Sequence, residues 1–104
     1  LDRLTYELAE MLLRLAPYGM GNPEPSLGSR NVGVKEHRLV GKERTHVKLR
    51  LDAGSRDLDA IAFSMADRQM ILSGPIDIVY IPEINEWKGR KTLQVRIKDM
   101  RAST

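Results

Sequence analysis

The run Ile76-Asp77-Ile78-Val79-Tyr80-Ile81-Pro82-Glu83-Ile84-Asn85-Glu86-Trp87-Lys88-Gly89-Arg90-Lys91-Thr92-Leu93-Gln94-Val95-Arg96-Ile97-Lys98-Asp99-Met100 reads as two strands and the loop between them. Leu93, Val95 and Ile97 alternate with Gln94, Arg96 and Lys98, and a period of two sends one set into a core and the other into water. The loop, Asn85–Lys91, carries the sole tryptophan of the chain, Trp87, together with Lys88, Arg90 and Lys91. The hairpin therefore presents an aromatic ring, cations at its tip and two more, Arg96 and Lys98, along its outer face. That combination suits a negatively charged polymer with exposed π-faces, which is single-stranded nucleic acid.

Upstream of the hairpin the chain reads as three more strands. Arg30–Val40 is a long first strand, with Gly33 a candidate bulge or bend. Gly41-Lys42-Glu43-Arg44 is a turn. His46–Leu51 alternates cleanly, with Val47, Leu49 and Leu51 inward and His46, Lys48 and Arg50 outward. After the turn Ala53-Gly54-Ser55-Arg56, Leu58–Phe63 is a third strand whose apolar content leaves its facing open. Ser64–Leu72 follows as a short helix with Ser64 at its N-cap, stopped by Ser73-Gly74-Pro75.

Three strands, a short helix and two strands make a mainly β domain with the element order of the OB-fold, a five-stranded, partly open Greek-key barrel. Its helix falls between strands three and four, and strand five is expected beside strand three. The usual ligand surface of such a barrel is the outer face of strands two and three, flanked by the first-to-second and fourth-to-fifth strand loops. Here those loops, Gly41–Thr45 and Asn85–Lys91, are both basic. Ahead of the barrel, Leu4, Leu8, Met11, Leu12 and Leu15 recur at helical spacing. Three parts are thus expected: an N-terminal linker helix within 1–16, a Pro/Gly-rich elbow over 17–29 and the barrel over 30–101.

The chain has 104 residues, enough for one domain with a core of its own. It holds no cysteine, which excludes disulfides, thiolate metal sites and cysteine nucleophiles and fits a reducing, cytoplasmic setting. No run is long and apolar enough for a membrane span, and the opening on Leu1, directly into a helical pattern, reads as a piece of a longer protein. The net charge of +3 is modest but unevenly placed. Residues 35–50 and 85–101 together carry +8, leaving −5 for the other 71 residues. Such segregation is the footprint of a phosphate-binding face, or of solvated charges that happen to cluster.

Leu15-Ala16-Pro17-Tyr18-Gly19-Met20-Gly21-Asn22-Pro23-Glu24-Pro25 resembles the linker that enters the OB domain of bacterial RecJ single-strand-specific exonucleases. The run Asp77–Asp99 resembles that family's last two strands, and His46–Leu51 and Asp59–Phe63 resemble its second and third. The resemblance implies an OB domain that grips single-stranded DNA and leads it to upstream catalytic domains of the same chain, in DNA repair and recombination. Those domains would hold manganese or magnesium and act as a 5′–3′ exonuclease. It implies no cofactor, no metal and no catalytic residue in this piece, whose two histidines, His37 and His46, lack the flanking carboxylates that a two-metal site needs.

The residues expected to contact nucleic acid are Lys42, Arg44, Lys48, Arg50, Trp87, Lys88, Arg90, Lys91, Arg96 and Lys98. Trp87 either stacks a base or packs on the barrel wall. Phe63 and Tyr80 are aromatic candidates for stacking whose strand positions favour the core. His46 lies on the same face and reads as a bystander. The alternative reading is an inter-domain clamp or protein-docking module, whose basic face meets an acidic surface of the parent nuclease or the acidic tail of single-strand-binding protein.

Overall fold

The structure, a computed structural model, describes residues 26–54 and 56–103. The expected linker helix within 1–16 and the elbow up to residue 25 lie outside the described residues. Six strands form one sheet: β1 (Leu27–Val32), β2 (Val34–Val40), β3 (His46–Asp52), β4 (Asp57–Ala62), β5 (Ile76–Trp87) and β6 (Arg90–Ala102). A 3-10 helix, Ala66–Ser73, joins β4 to β5. The spatial order is β1-β5-β6-β4-β3-β2. All neighbours are antiparallel except β4 and β6, which run parallel through Asp59–Gln94, Ala60–Val95 and Ile61–Arg96. That parallel pair is the expected meeting of the third and last strands.

The strand count differs from the five expected, and Gly33 is the reason. The segment Arg30–Val40 is not one strand but parts of two. β1 pairs with β5, whereas β2 pairs with β3. Between them Gly33 makes no ladder of its own, and its carbonyl accepts the Asp52 N–H at 2.9 Å. The two edges of the sheet are therefore consecutive in the chain, so the sheet curls until they meet. Leu27, Gly28 and Ser29 also belong to the strand rather than to a connector.

Alternation fills the inside of the curl. Val47, Leu49 and Leu51 from β3 meet Leu58, Ala60 and Ala62 from β4, with Val95, Ile97 and Met100 from β6. Ile76, Ile78 and Tyr80 of β5 complete the wall, and the Tyr80 hydroxyl shares a 3.0 Å hydrogen bond with Ser29 Oγ. Tyr80 thus packs in the core, as its strand position suggested. Every buried side-chain polar atom among the described residues has a partner, as a well-formed interior requires.

Two local readings change. Ser64 does not cap the helix: it turns the chain with φ of 57°, and the helix starts two residues later at Ala66 without a side-chain cap. The hairpin loop is not seven residues but two, because β5 and β6 stay paired out to Trp87–Arg90. Lys88 and Gly89 both take positive φ, 50° and 78°. Positive φ at both central residues is the mark of a type I′ turn, whose twist matches the flanking strands. Nothing lies within 4 Å of a Cβ added at Gly89, so a substitution there meets only backbone strain. Gly89→Val is expected to lower stability by about 1–2 kcal/mol, read as a fall in urea midpoint at constant slope. An unchanged midpoint would contradict the turn type.

Asp77 of β5 ties β1 and the end of β6 to the strand between them. Ser103 Oγ donates to it at 2.6 Å, the Asn31 N–H at 3.0 Å and Arg101 Nε at 3.1 Å. Asn31 has φ of 58° and stands in the β1 bulge between Ser29 and Val32, so Asp77 holds an irregular backbone in place. The Ser103 hydroxyl, then the Asn31 N–H, then Arg101 hold its carboxyl down at about 2. The folded value lies below the unfolded one, so the stabilisation is present above the unfolded value near pH 4 and is lost as pH falls toward 2. Asp77→Asn is expected to flatten the fall in melting temperature across that window.

Candidate nucleic-acid interface

The ladders place the outward side chains in rows across the sheet. One row runs Arg38, Lys48, Ile61, Arg96 from β2 through β3 and β4 to β6. The next runs Glu36, Arg50, Asp59, Gln94 and on to Glu83 of β5. Over β2 and β3, Glu36, Arg38, Lys48, Arg50 and Asp59 from these rows line an open groove of about 620 Å³, which Lys35 and His37 also border.

Charge pairing divides the groove's cations into two sets. Lys35 Nζ lies 2.7 Å from Asp57, and Arg50 stands between Glu36 and Asp59 at 3.9 and 3.7 Å. These pairs are exposed and of little energetic weight, so they tether the side chains without withdrawing them from a ligand. Arg96 donates from Nε to Glu83 at 2.6 Å while Gln94 donates to the other Glu83 oxygen at 3.2 Å. Glu83 thus holds both side chains flat against the outer wall. Arg38 and Lys48 differ. They face each other across the β2–β3 ladder, and neither has an acidic partner among the described residues. Like charges directly opposite on neighbouring strands destabilise the pair unless an anion joins them.

Lys48 and Arg50 are therefore on the expected face, and Arg96 shares their rows. Lys98 is displaced: the register shifts between Val79 and Tyr80, which makes it the extra residue of a bulge beyond the β4 ladder. Lys42 and Arg44 sit in the exposed β2–β3 turn, where the Arg44 N–H closes onto the Gly41 carbonyl at 3.2 Å. Lys88, Arg90 and Lys91 are exposed at the hairpin tip. The parallel β4–β6 register sets the two loops at opposite ends of the sheet. Following β6 toward its start leads past Asp59 to the Ala53–Arg56 turn, whereas the Gly41–Thr45 turn lies beyond Ala62. Each loop is thus one wall of the face. Trp87 does not fold back: it is 73% exposed, with Lys88 Nζ 5.7 Å from its ring centroid.

Two features of this face go beyond the sequence reading: the place of Arg38 and the exposure of Phe63. Arg38 was hidden in a strand whose alternation is broken by the shift between Val34 and Glu36. The signal available was its parity with Val40 and Glu36 once the turn at Gly41 is fixed. Phe63, a stacking candidate whose strand position favours the core, is 51% exposed. Ala62 already fills the inward slot, so the next residue must point out. Among the described residues no three His, Asp or Glu side chains converge as a metal site would need. No described helix is long and apolar enough to cross a membrane.

A curled sheet closed by one parallel strand pair, with its helix before the last hairpin, defines a protein of the OB-fold class. A family model for the RecJ OB domain matches residues 1–99, and the chain belongs to that family. It is 36% identical over 104 residues to the single-stranded-DNA-specific exonuclease RecJ of Bacillus subtilis, covering 98% of this chain and 13% of that protein. It is 30% identical over 99 residues to the enzyme of the same name from Escherichia coli, covering 93% of this chain and 17% of that one. RecJ from Thermus thermophilus, crystallised with Mn2+, superposes with a TM-score of 0.69 at 28% identity, over 97% of this chain and 15% of that one. The Mg2+ complex of the same enzyme gives 0.68 at 27% identity, over 91% and 15%. The chain thus spans less than a fifth of each of these relatives.

Proposed function

We propose that this domain binds single-stranded DNA through the outer face of β2 and β3 and breaks no bonds itself. It delivers the strand to the metal-dependent nuclease core of a RecJ-like 5′–3′ exonuclease, with manganese or magnesium held by the upstream domains of the parent chain. The observation that carries this reading is the facing pair Arg38 and Lys48, whose mutual repulsion a phosphate would relieve. Lys42 and Arg44 at one wall and Lys88, Arg90 and Lys91 at the other extend the same field along the strand's path. Trp87, exposed at the tip, offers a face for a base.

The chain is expected to shift oligo-dT but not blunt duplex at low salt, and to lose the strand as salt rises. For single strands each neutralised phosphate contributes about 0.7 to the slope of log affinity against log salt. Lys48→Ala is expected to reduce that slope by about 0.7, measured by fluorescence anisotropy across a salt series. No shift at low salt, or equal binding of duplex, overturns the proposal. Trp87 fluorescence quenched by an acidic peptide and not by oligo-dT would favour docking on a protein such as single-strand-binding protein instead.

A further inference from the structure

The outer face carries a second aromatic side chain, Phe63, at the end of the sheet away from Trp87. It lies just past β4, in the outward series of Asp59 and Ile61, so it continues the face that bears Arg38 and Lys48. The step from Ile61 to Phe63 is two residues, about 7 Å along a strand, one position beyond the Arg38–Lys48–Ile61 row. A ring half in water, close to two cations with no acidic partner among the described residues and next to the Lys42–Arg44 turn, is poorly explained by packing alone.

The ring is also held. His46 meets Phe63 edge to face, with centroids 5.2 Å apart and planes at 77°. The same imidazole accepts the Ser64 N–H at Nδ1, at 2.8 Å. The Ala66 N–H bonds the Thr45 carbonyl at 3.1 Å, so the segment after Phe63 is strapped to the β2–β3 turn at two points. On one side Ala62 is fully buried and on the other Met65 packs against the core, which leaves Phe63 no slack to turn inward. Gly41 makes room for the arrangement: a Cβ there would stand 2.9 Å from His46 Cδ2.

We propose that Phe63 is a base-stacking platform for single-stranded nucleic acid and that His46 is the residue that positions it. This rests on the strand-binding function above and names the part of the face that takes a nucleobase. Phosphates on Arg38 and Lys48 would set the neighbouring base over the Phe63 ring, which stands half exposed and is not covered by a parallel stack with His46. The contribution is independent of ionic contacts, since stacking neutralises no phosphate.

The test compares the chain with Phe63→Ala, Phe63→Tyr, His46→Ala, His46→Asn and the double change His46→Ala with Phe63→Ala. Each is titrated against oligo-dT and against an abasic deoxyribose-phosphate strand of equal length. Phe63→Ala is expected to weaken oligo-dT about fivefold to a hundredfold with an unchanged salt slope and melting temperature, and to leave the abasic strand unaffected. Phe63→Tyr keeps the ring and the affinity. His46→Ala weakens oligo-dT, the double variant is no weaker than Phe63→Ala alone, and His46→Asn, which restores an acceptor for Ser64, recovers binding. Equal oligo-dT binding by Phe63→Ala, or equal losses on dT and abasic strands, overturns the platform while strand binding stands. Failure of the unaltered chain to bind oligo-dT overturns the function, and the platform with it.

Discussion

Arg38→Ala combined with Lys48→Ala is expected to weaken oligo-dT binding by about 3 kcal/mol, roughly a hundredfold, taking about 1.5 kcal/mol for each charge-assisted contact. The salt slope should fall by about 1.4, two single-strand contacts' worth. The same change should leave the fold no less stable. The two side chains face each other across the ladder and are exposed, so removing them relieves repulsion of about 0.2–1 kcal/mol. Loss of binding together with equal or higher thermal stability is the signature of a site kept at some expense to the fold. Arg50→Ala is the internal comparison. Its guanidinium already stands between Glu36 and Asp59, so its loss should affect binding less. A double variant that binds oligo-dT normally would remove the central support for the interface.

The other large effect is on the fold itself. Leu51→Ala is expected to cost about 3–5 kcal/mol, because Leu51 is fully buried and its loss leaves a cavity that the sheet cannot close. Its ladder partners are Val34 on one side and Leu58 on the other, and the neighbouring Asp52 N–H bonds Gly33. The cavity would open where β2 leaves the curl, so the barrel's closure as well as its core should suffer. A total stability of about 5–15 kcal/mol is usual for a domain, so such a loss is a large share of the whole. Urea denaturation reads it directly. A change under about 1 kcal/mol would mean that the seam relaxes around the smaller side chain.

Features set by local alternation were legible in the sequence, and those set by distant pairing were not. His46–Leu51 showed its inward and outward sets, and the order of elements was enough to place the last strand beside the third. The break at Gly33 was suspected, but not that its two sides belong to opposite edges, since the β1 partner lies in β5, about fifty residues away. The length of the hairpin turn was missed because lysine seldom takes positive φ, and Lys88 does so here. The exposure of Phe63 was not legible for a related reason: strand composition does not reveal where a strand ends, and Ser64 turns the chain one residue later. On the candidate face, Lys48 and Arg50 of β3 point outward as alternation predicts, and Lys42, Arg44 and Lys88 stand exposed in the two turns. The pairing that singles out Arg38 and Lys48 from Arg50 depends on carboxylates from different strands and could be seen only in the fold.

The break at Gly33 also bears on the order in which the domain can assemble. β2, β3 and β4 form a meander of near neighbours that can pair as soon as they are made. β1 has no partner until Ile76–Tyr80 has emerged, so it must wait unpaired while the rest of the sheet is synthesised. Closing that long loop is the slow, entropically costly contact of the fold. The β2–β3 surface would then take shape before the barrel closes, and the β1–β5 ladder, pinned by Asp77, would be the last part to lock.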